Sequence, residues 1–191
     1  MPGSKAQLFG VATIGSGIMQ VCIKQPEQSA HAFTTSEELL HNATGGVAQV
    51  FRYWDRMRGE RIMPSPAEID FLELRPWLAG ILVIEVAGGE GRELIYRIVG
   101  ERGVRLRGYD PTGMTVSRAA FGRSVAHVLA NYSVVIDLRI PLYGWYDDEV
   151  AEGRRVGSGT LLLPLSSDGQ KVDRVLVYIE DTAAYDWAWA R

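Results

Sequence analysis

Apolar positions recur along this chain in two rhythms, and the places where one rhythm gives way to the other mark its elements. Val47, Val50, Phe51, Trp54 and Met57 fall three and four residues apart, with Gln49, Arg52, Asp55 and Arg56 between them. That spacing lines one face of an amphipathic helix, and Gly59 suits the left-handed residue that ends one. Upstream, Thr35-Ser36-Glu37-Glu38 sets a hydroxyl three residues ahead of a glutamate and predicts a short helix through Leu39 and Leu40. Ser65-Pro66-Ala67-Glu68 is a fuller start signal: Ser65 caps, Pro66 fits the first helical position and Glu68 completes the reciprocal pair. A helix through Phe71 and Leu74 should follow and end near Arg75-Pro76, because the residue before proline avoids helical angles.

The period then drops to two. Ile81-Leu82-Val83-Ile84 is an apolar run, Gly88-Gly89-Glu90-Gly91 is a turn, and Glu93 to Val99 alternates with Leu94, Tyr96 and Ile98 on one side. Two strands about a glycine turn read as a hairpin. Gly100 to Gly108 reads as a short helix leaving the sheet, and Asp110-Pro111-Thr112-Gly113 as a turn. Phe121, Val125, Val128, Leu129 and Tyr132 form one helical stripe, with Ser117 as its cap. Ile136, Leu138, Ile140 and Leu142 alternate again, which sends Asp137 and Arg139 to the opposite side of a strand. Thr160 to Leu165, the Asp168-Gly169 turn and Val172 to Glu180 complete the pattern. A hairpin, a helical crossover and a three-stranded antiparallel meander make an α+β fold, with helices on one face of the sheet and a pocket between.

Composition narrows the picture. The 191 residues are 47% hydrophobic and 23% charged, enough to bury one core, and the net charge of −3 argues against nucleic acid or an acidic membrane as the general partner. Cys22 is the only cysteine, so no internal disulfide and no cysteine-based zinc site can form, in keeping with a cytoplasmic address. Residues 7–23 are apolar, but Gly10, Gly15 and Gly17 interrupt them; they read as a leader, or as a strand borrowed by a neighbouring chain, and residues 24–35 as an irregular linker. Arg102, Arg105 and Arg107 read as solvated, their aliphatic stems lying over the core. Gly100 and Gly103 do not make the pattern of a phosphate loop, a glycine-rich segment whose backbone amides converge at a helix amino terminus.

The segments FRYWDRMRG, MPSPAEIDFLELRPWLAGILVIEV, YRIVGERGVRLRGYDPTGM and IPLYG resemble a bacterial group of small stand-alone PAS-like proteins, and the order of elements resembles PAS sensor domains. The resemblance covers roughly residues 47–182. It implies a five-stranded antiparallel sheet, a helical crossover on one face, an amino-terminal amphipathic helix and a role in signal transduction. The chain accordingly divides into an extension (1–41) that is flexible or docked on a partner, a PAS-like domain (42–182) and an aromatic tail (183–191).

Some PAS sensors hold haem through a crossover-helix histidine. His127 is on that helix, but lies roughly 150° from the centre of the Val125–Val128–Tyr132 stripe at a hundred degrees per residue, which turns it away from the pocket. A covalent flavin photosensor needs a core cysteine, and Cys22 lies in the leader. Asp147, Asp148, Glu149 and Glu152 lack the spacing of a calcium loop and read as solvated. No nucleophile triad or paired metal histidines appear, so an isomerase or dehydratase using the same cavity is the alternative rather than the main reading. The main reading is a regulatory module with no catalytic or metal residues and no assigned cofactor, binding a small apolar or aromatic ligand or acting chiefly by contacting a partner, with a ligand-free dimerisation module as a further alternative. Tyr96, Tyr109, Phe121 and Val125 are the expected lining, with Trp145 and Tyr178 at its outer edge. Val47, Val50, Phe51 and Trp54 are read either as packing on the domain's own core or as a homodimer interface, with a separate effector protein as a further partner.

Overall fold

A computed structural model of the chain describes residues 21–25, 28–32, 39–40, 43, 45–119, 125–149 and 155–181. Strands β3 (Ile81–Ala87) and β4 (Glu93–Val99) form the expected hairpin, and β5 (Leu142–Glu149), β6 (Arg155–Leu165) and β7 (Arg174–Asp181) the expected meander. Between them run helices α2 (Glu101–Arg107), α3 (Val116–Ala119) and α4 (Val125–Leu138); α1 (Gly45–Arg58) precedes them all. Every pairing is antiparallel, and the β4-β3-β7-β6-β5 order carries the five-stranded α+β sheet that the sequence implies.

Two further strands extend the sheet. β1 (Val21–Gln25) and β2 (Gln28–Ala32) make a hairpin whose second strand pairs with β5, Ala32 opposite Leu142 and Ala30 opposite Gly144. Residues 28–32 are therefore strand where the sequence reads as linker: backbone pairing to an open sheet edge needs no apolar alternation.

Strand periodicity divides the core in two. Leu82, Ile84, Leu94, Tyr96, Leu162, Val175, Val177 and Ile179 face the crossover helices with Leu106, Val116, Tyr132 and Val135. Ile81, Val83, Leu161, Leu163, Leu165, Leu176 and Tyr178 face the other way, onto α1 and the 69–77 segment. The central strands are apolar on both sides, so both must be covered. On this outer face Val47, Val50, Phe51 and Trp54 are all buried, and the Trp54 indole donates to the Pro164 carbonyl at 2.9 Å. That corrects the interface reading: the chain's own sheet fills the helix face that a second copy would need.

The amino terminus of α1 is fixed by β7. The Glu180 carboxylate accepts from the backbone N–H of Gly46 at 2.9 Å and of Val47 at 3.4 Å, which places an anion where the unpaired amides and the positive end of the helix dipole favour it. Gly46 lies against Tyr178; a Cβ there would sit 2.2 Å from the phenol oxygen. Burial raises the Tyr178 pKa first, with the Glu180 charge second.

Three local readings change. The Ser65 box is present, with Ser65 N–H donating to Glu68 Oε2 at 2.7 Å, but it opens a single 3₁₀ turn (Pro66–Glu68), and a second turn (Arg75–Gly80) carries the chain on past Pro76. Residues 136–138 belong to the last turn of α4, not to a strand, so Asp137 lies at the helix surface in an ion pair with Arg92. Of the three arginines only Arg105 is exposed; Arg102 and Arg107 are half-buried. Arg102 donates to the Ile179 carbonyl; Arg107 lies over the Tyr96 ring, 5.0 Å from its centroid, and donates to the Tyr96 hydroxyl at 2.9 Å.

Gly46→Ala should destabilise the domain by about 2 kcal/mol or more, since the methyl group must displace Tyr178 or α1. Urea denaturation measures it, and an unchanged midpoint would contradict the seating of α1.

Candidate functional site

The layer between α4 and the sheet differs at its two ends. Toward the start of α4 the buried residues are His127 and Asn131, four apart, with Tyr132 beside them and Val135 four further on, in the last turn. His127 is 6% exposed, so the expectation that it points away from the core is overturned, and Val125, at 39% exposed, has changed places with it. Beneath, Ser158 and Thr160 alternate with Leu161 on β6 and share the inner side with Leu162. Four of the five buried polar side chains among the described residues thus belong to α4 and β6, which pack on each other. The Thr160 hydroxyl is buried with no hydrogen-bond partner among the described residues, an arrangement that costs about 1–3 kcal/mol.

At the other end the layer is open. A cleft of about 1210 Å³ lies between the β3–β4 turn, the last turn of α4 and the β6–β7 turn. Val86, Ile136 and Val172 make its apolar floor, continuous with the inner core. Its rim is charged. The guanidinium of Arg92 is taken by Asp137. Asp168 Oδ1 accepts from the backbone N–H of Gln170 at 2.7 Å, that of Lys171 at 2.9 Å and the Ser166 hydroxyl at 3.0 Å. The Lys171 amide, then the Gln170 amide and the hydroxyl, hold this carboxyl below its usual pKa. Asp173 accepts from the Ser167 amide with Oδ2, while its Oδ1 is enclosed and unpartnered among the described residues. Arg139 has a φ of 57°, the one positive value at a non-glycine described residue, and its guanidinium reaches the Gln170 carbonyl at 3.4 Å.

Of the residues singled out from sequence, Tyr96 is where it was expected, buried on the inner face with its hydroxyl engaged by Arg107. Tyr109 is 44% exposed and Val125 lies at the surface, so neither turns into the layer. Tyr178 is on the outer face, because it alternates with Val177 and Ile179. Phe121 lies outside the described residues, and for Trp145 only the strand backbone is described. The cleft went unread because its residues come from three separated turns; the signal available was the glycine-rich 88–91 turn facing the Asp168-Gly169 turn. Among the described residues no three His, Cys, Asp or Glu side chains gather as a metal site, and no described helix is long and apolar enough to cross a membrane.

Two outcomes follow. Thr160→Val should leave stability unchanged or raise it by up to about 1 kcal/mol, because it removes an unpaired buried hydroxyl; a loss of 1 kcal/mol in chemical denaturation would mean that the hydroxyl has a partner. Asp168 has a depressed folded-state pKa, so its contribution is present above the unfolded carboxylate pKa and is lost as pH falls through the lower folded value. NMR titration should find its carboxyl below the usual Asp range, and Ser166→Ala should move it upward.

The family comparison agrees with this architecture. A family model described as a PAS domain matches residues 43–179. Among solved structures, an RNA-binding light-oxygen-voltage receptor aligns at 15% identity with a TM-score of 0.42, over 62% of this chain and 36% of that one. A Rhodobacter sphaeroides LOV protein aligns at 14% identity and 0.45, over 62% and 71%. This chain thus spans little more than a third of the first of these structures. No curated protein matches the sequence. With the family model spanning most of the chain and the sheet and crossover laid out as above, the chain belongs to the PAS domain family.

Proposed function

We propose that this PAS domain is a non-catalytic sensory or regulatory module that takes a small, largely apolar molecule into the cleft at the open end of the α4–sheet layer. The observation that carries the reading is the floor: Val86, Ile136 and Val172 pack with the inner core and border a cleft of about 1210 Å³, which offers an apolar molecule a surface to lie on. The carboxylates at its mouth favour binding over proton transfer, since Asp137 is paired with Arg92 and Asp168 is held ionised by backbone amides.

The output would pass through β7. Val175, Val177 and Ile179 face the ligand layer, and Tyr178 and Glu180 hold the first turn of α1 on the other side. A ligand that prefers one packing of α4 on the sheet would shift the population in which α1 is seated. Its partner would be a separate effector protein that reads α1. A homodimer through Val47, Val50, Phe51 and Trp54 would require α1 to leave its own sheet, so ligand-driven release is the condition for one. The lone Cys22 fits a reducing, cytoplasmic setting.

Native mass spectrometry of gently purified protein should reveal a bound mass, or a fragment panel a rise in Tm, and Ile136→Trp, which fills the cleft, should abolish either. Neither signal in the wild type, or signals unaltered by Ile136→Trp, would refute the reading.

A further inference from the structure

The β6–β7 turn has a covalent chemistry of its own. Asp168-Gly169 is the one Asp-Gly pair in the chain, which has no Asn-Gly pair. Both residues are exposed; glycine brings no side chain to shield its amide, and the space that a Cβ would take at Gly169 is open to 4 Å. An amide in that setting can attack the carboxyl of the residue before it. The Gly169 nitrogen gives up its proton and bonds to Asp168 Cγ, one carboxyl oxygen leaves as water, and a succinimide ring closes. Water then opens the ring. Addition at Cγ restores aspartate, whereas addition at the Asp168 main-chain carbonyl leaves the backbone running through the side chain, as isoaspartate. One water leaves and one returns, so the mass is unchanged and no other reactant is needed.

The fold sets a barrier to the first step. Asp168 Oδ1 accepts from the Gln170 amide at 2.7 Å, the Lys171 amide at 2.9 Å and the Ser166 hydroxyl at 3.0 Å. Losing an oxygen as water needs the carboxyl protonated, and all three donors favour its ionised form. Ser166 is itself buried, and the Leu165–Arg174 pair closes the ladder behind it. The donors therefore stay in place until the turn opens.

We infer that Asp168 is a site of spontaneous covalent modification guarded by its own turn: docked on the Gln170 and Lys171 amides it stays aspartate, and when the turn opens its link to Gly169 rearranges to isoaspartate. The inference stands apart from whatever the cleft binds. Isoaspartate adds a methylene to the backbone at the rim of the cleft and takes from the Gln170 and Lys171 amides the acceptor they now hold. An aged chain would thus carry an altered rim.

The test ages the full chain in warm, mildly acid buffer, folded and, in parallel, unfolded in guanidinium. Trypsin then releases the 156–171 peptide, in which Asp168 is the only acid, and chromatography separates its aspartate and isoaspartate forms. The unfolded chain should convert at Asp168, and the folded chain roughly tenfold more slowly or less. Asp168→Glu, whose longer side chain cannot close the same ring, should convert in neither state. Ser166→Ala should raise the folded rate about threefold, the low end of what one hydrogen bond is worth, and leave the unfolded rate alone; Ser167→Ala should move neither. In the wild type, the folded rate should rise with hydrogen exchange at the Gln170 and Lys171 amides as sub-denaturing guanidinium is added, a measurement that needs no variant to fold. Equal rates in the folded and unfolded chain would overturn the guard. An unfolded chain without isoaspartate in this peptide, or with a larger share at another aspartate, would overturn the site.

Discussion

A sheet whose central strands are apolar on both sides has to be covered twice, and the rest of this structure follows from that requirement. Ile81 and Val83 point one way and Leu82 and Ile84 the other. The crossover helices cover one side, and α1 with the 69–77 segment covers the other. Fully burying one such side chain contributes roughly 1.5–3 kcal/mol, so exposing either side would cost more than the whole stability of an ordinary domain. The bulky stripe on α1 is explained by this alone: Trp54, Phe51 and Val50 are there to close the outer layer.

The two layers are not independent, because they share the same strands. On β7, Ile179 belongs to the inner core, while Tyr178 and Glu180 hold the amino terminus of α1. Arg102, from α2, donates to the carbonyl of Ile179 and bonds to the Tyr178 phenol, so a crossover element reaches the residues that seat α1. A change in how the crossover packs therefore has a short route to α1, through one strand and one guanidinium. The close approach of Gly46 to Tyr178 makes that contact intolerant of small displacements.

How much of this the chain's pattern disclosed depends on the kind of signal. Strands β3, β4, β6 and β7 were legible because strict alternation and glycine turns are local features. The α4 boundary was not: Ile136, Leu138, Ile140 and Leu142 alternate by coincidence across a helix end, and only the packing of Val135 and Ile136 on the sheet decides between the two periods. The phase of the same helix was misjudged by assigning its stripe from Phe121 onward, which turned Val125 inward and His127 outward. Val125 and His127 lie about 200° apart at a hundred degrees per residue, so only a rotation of about half a turn exchanges them, and apolar residues on most sides of this helix leave its phase open to that. Arg107 was read as solvated because no sequence rule anticipates a guanidinium stacked on a buried Tyr96. The β1–β2 hairpin was missed because its attachment is backbone to backbone.

The opening in the α4–sheet layer has a structural cause as well. At its closed end, α4 carries the buried His127 and Asn131, and β6, which packs on α4, the buried Ser158 and Thr160, and buried polar groups leave little gain from adding apolar contacts. At the open end the chain turns through Gly88, Gly89 and Gly91, and Gly88 and Gly89 take left-handed angles of 84° and 54°. A turn of this kind requires residues without a Cβ, and residues without a Cβ bring no side chain to lay over Val86 and Ile136. The tight hairpin and the exposed floor are thus one fact. Filling the cleft from within would need a longer β3–β4 connection carrying a bulky residue.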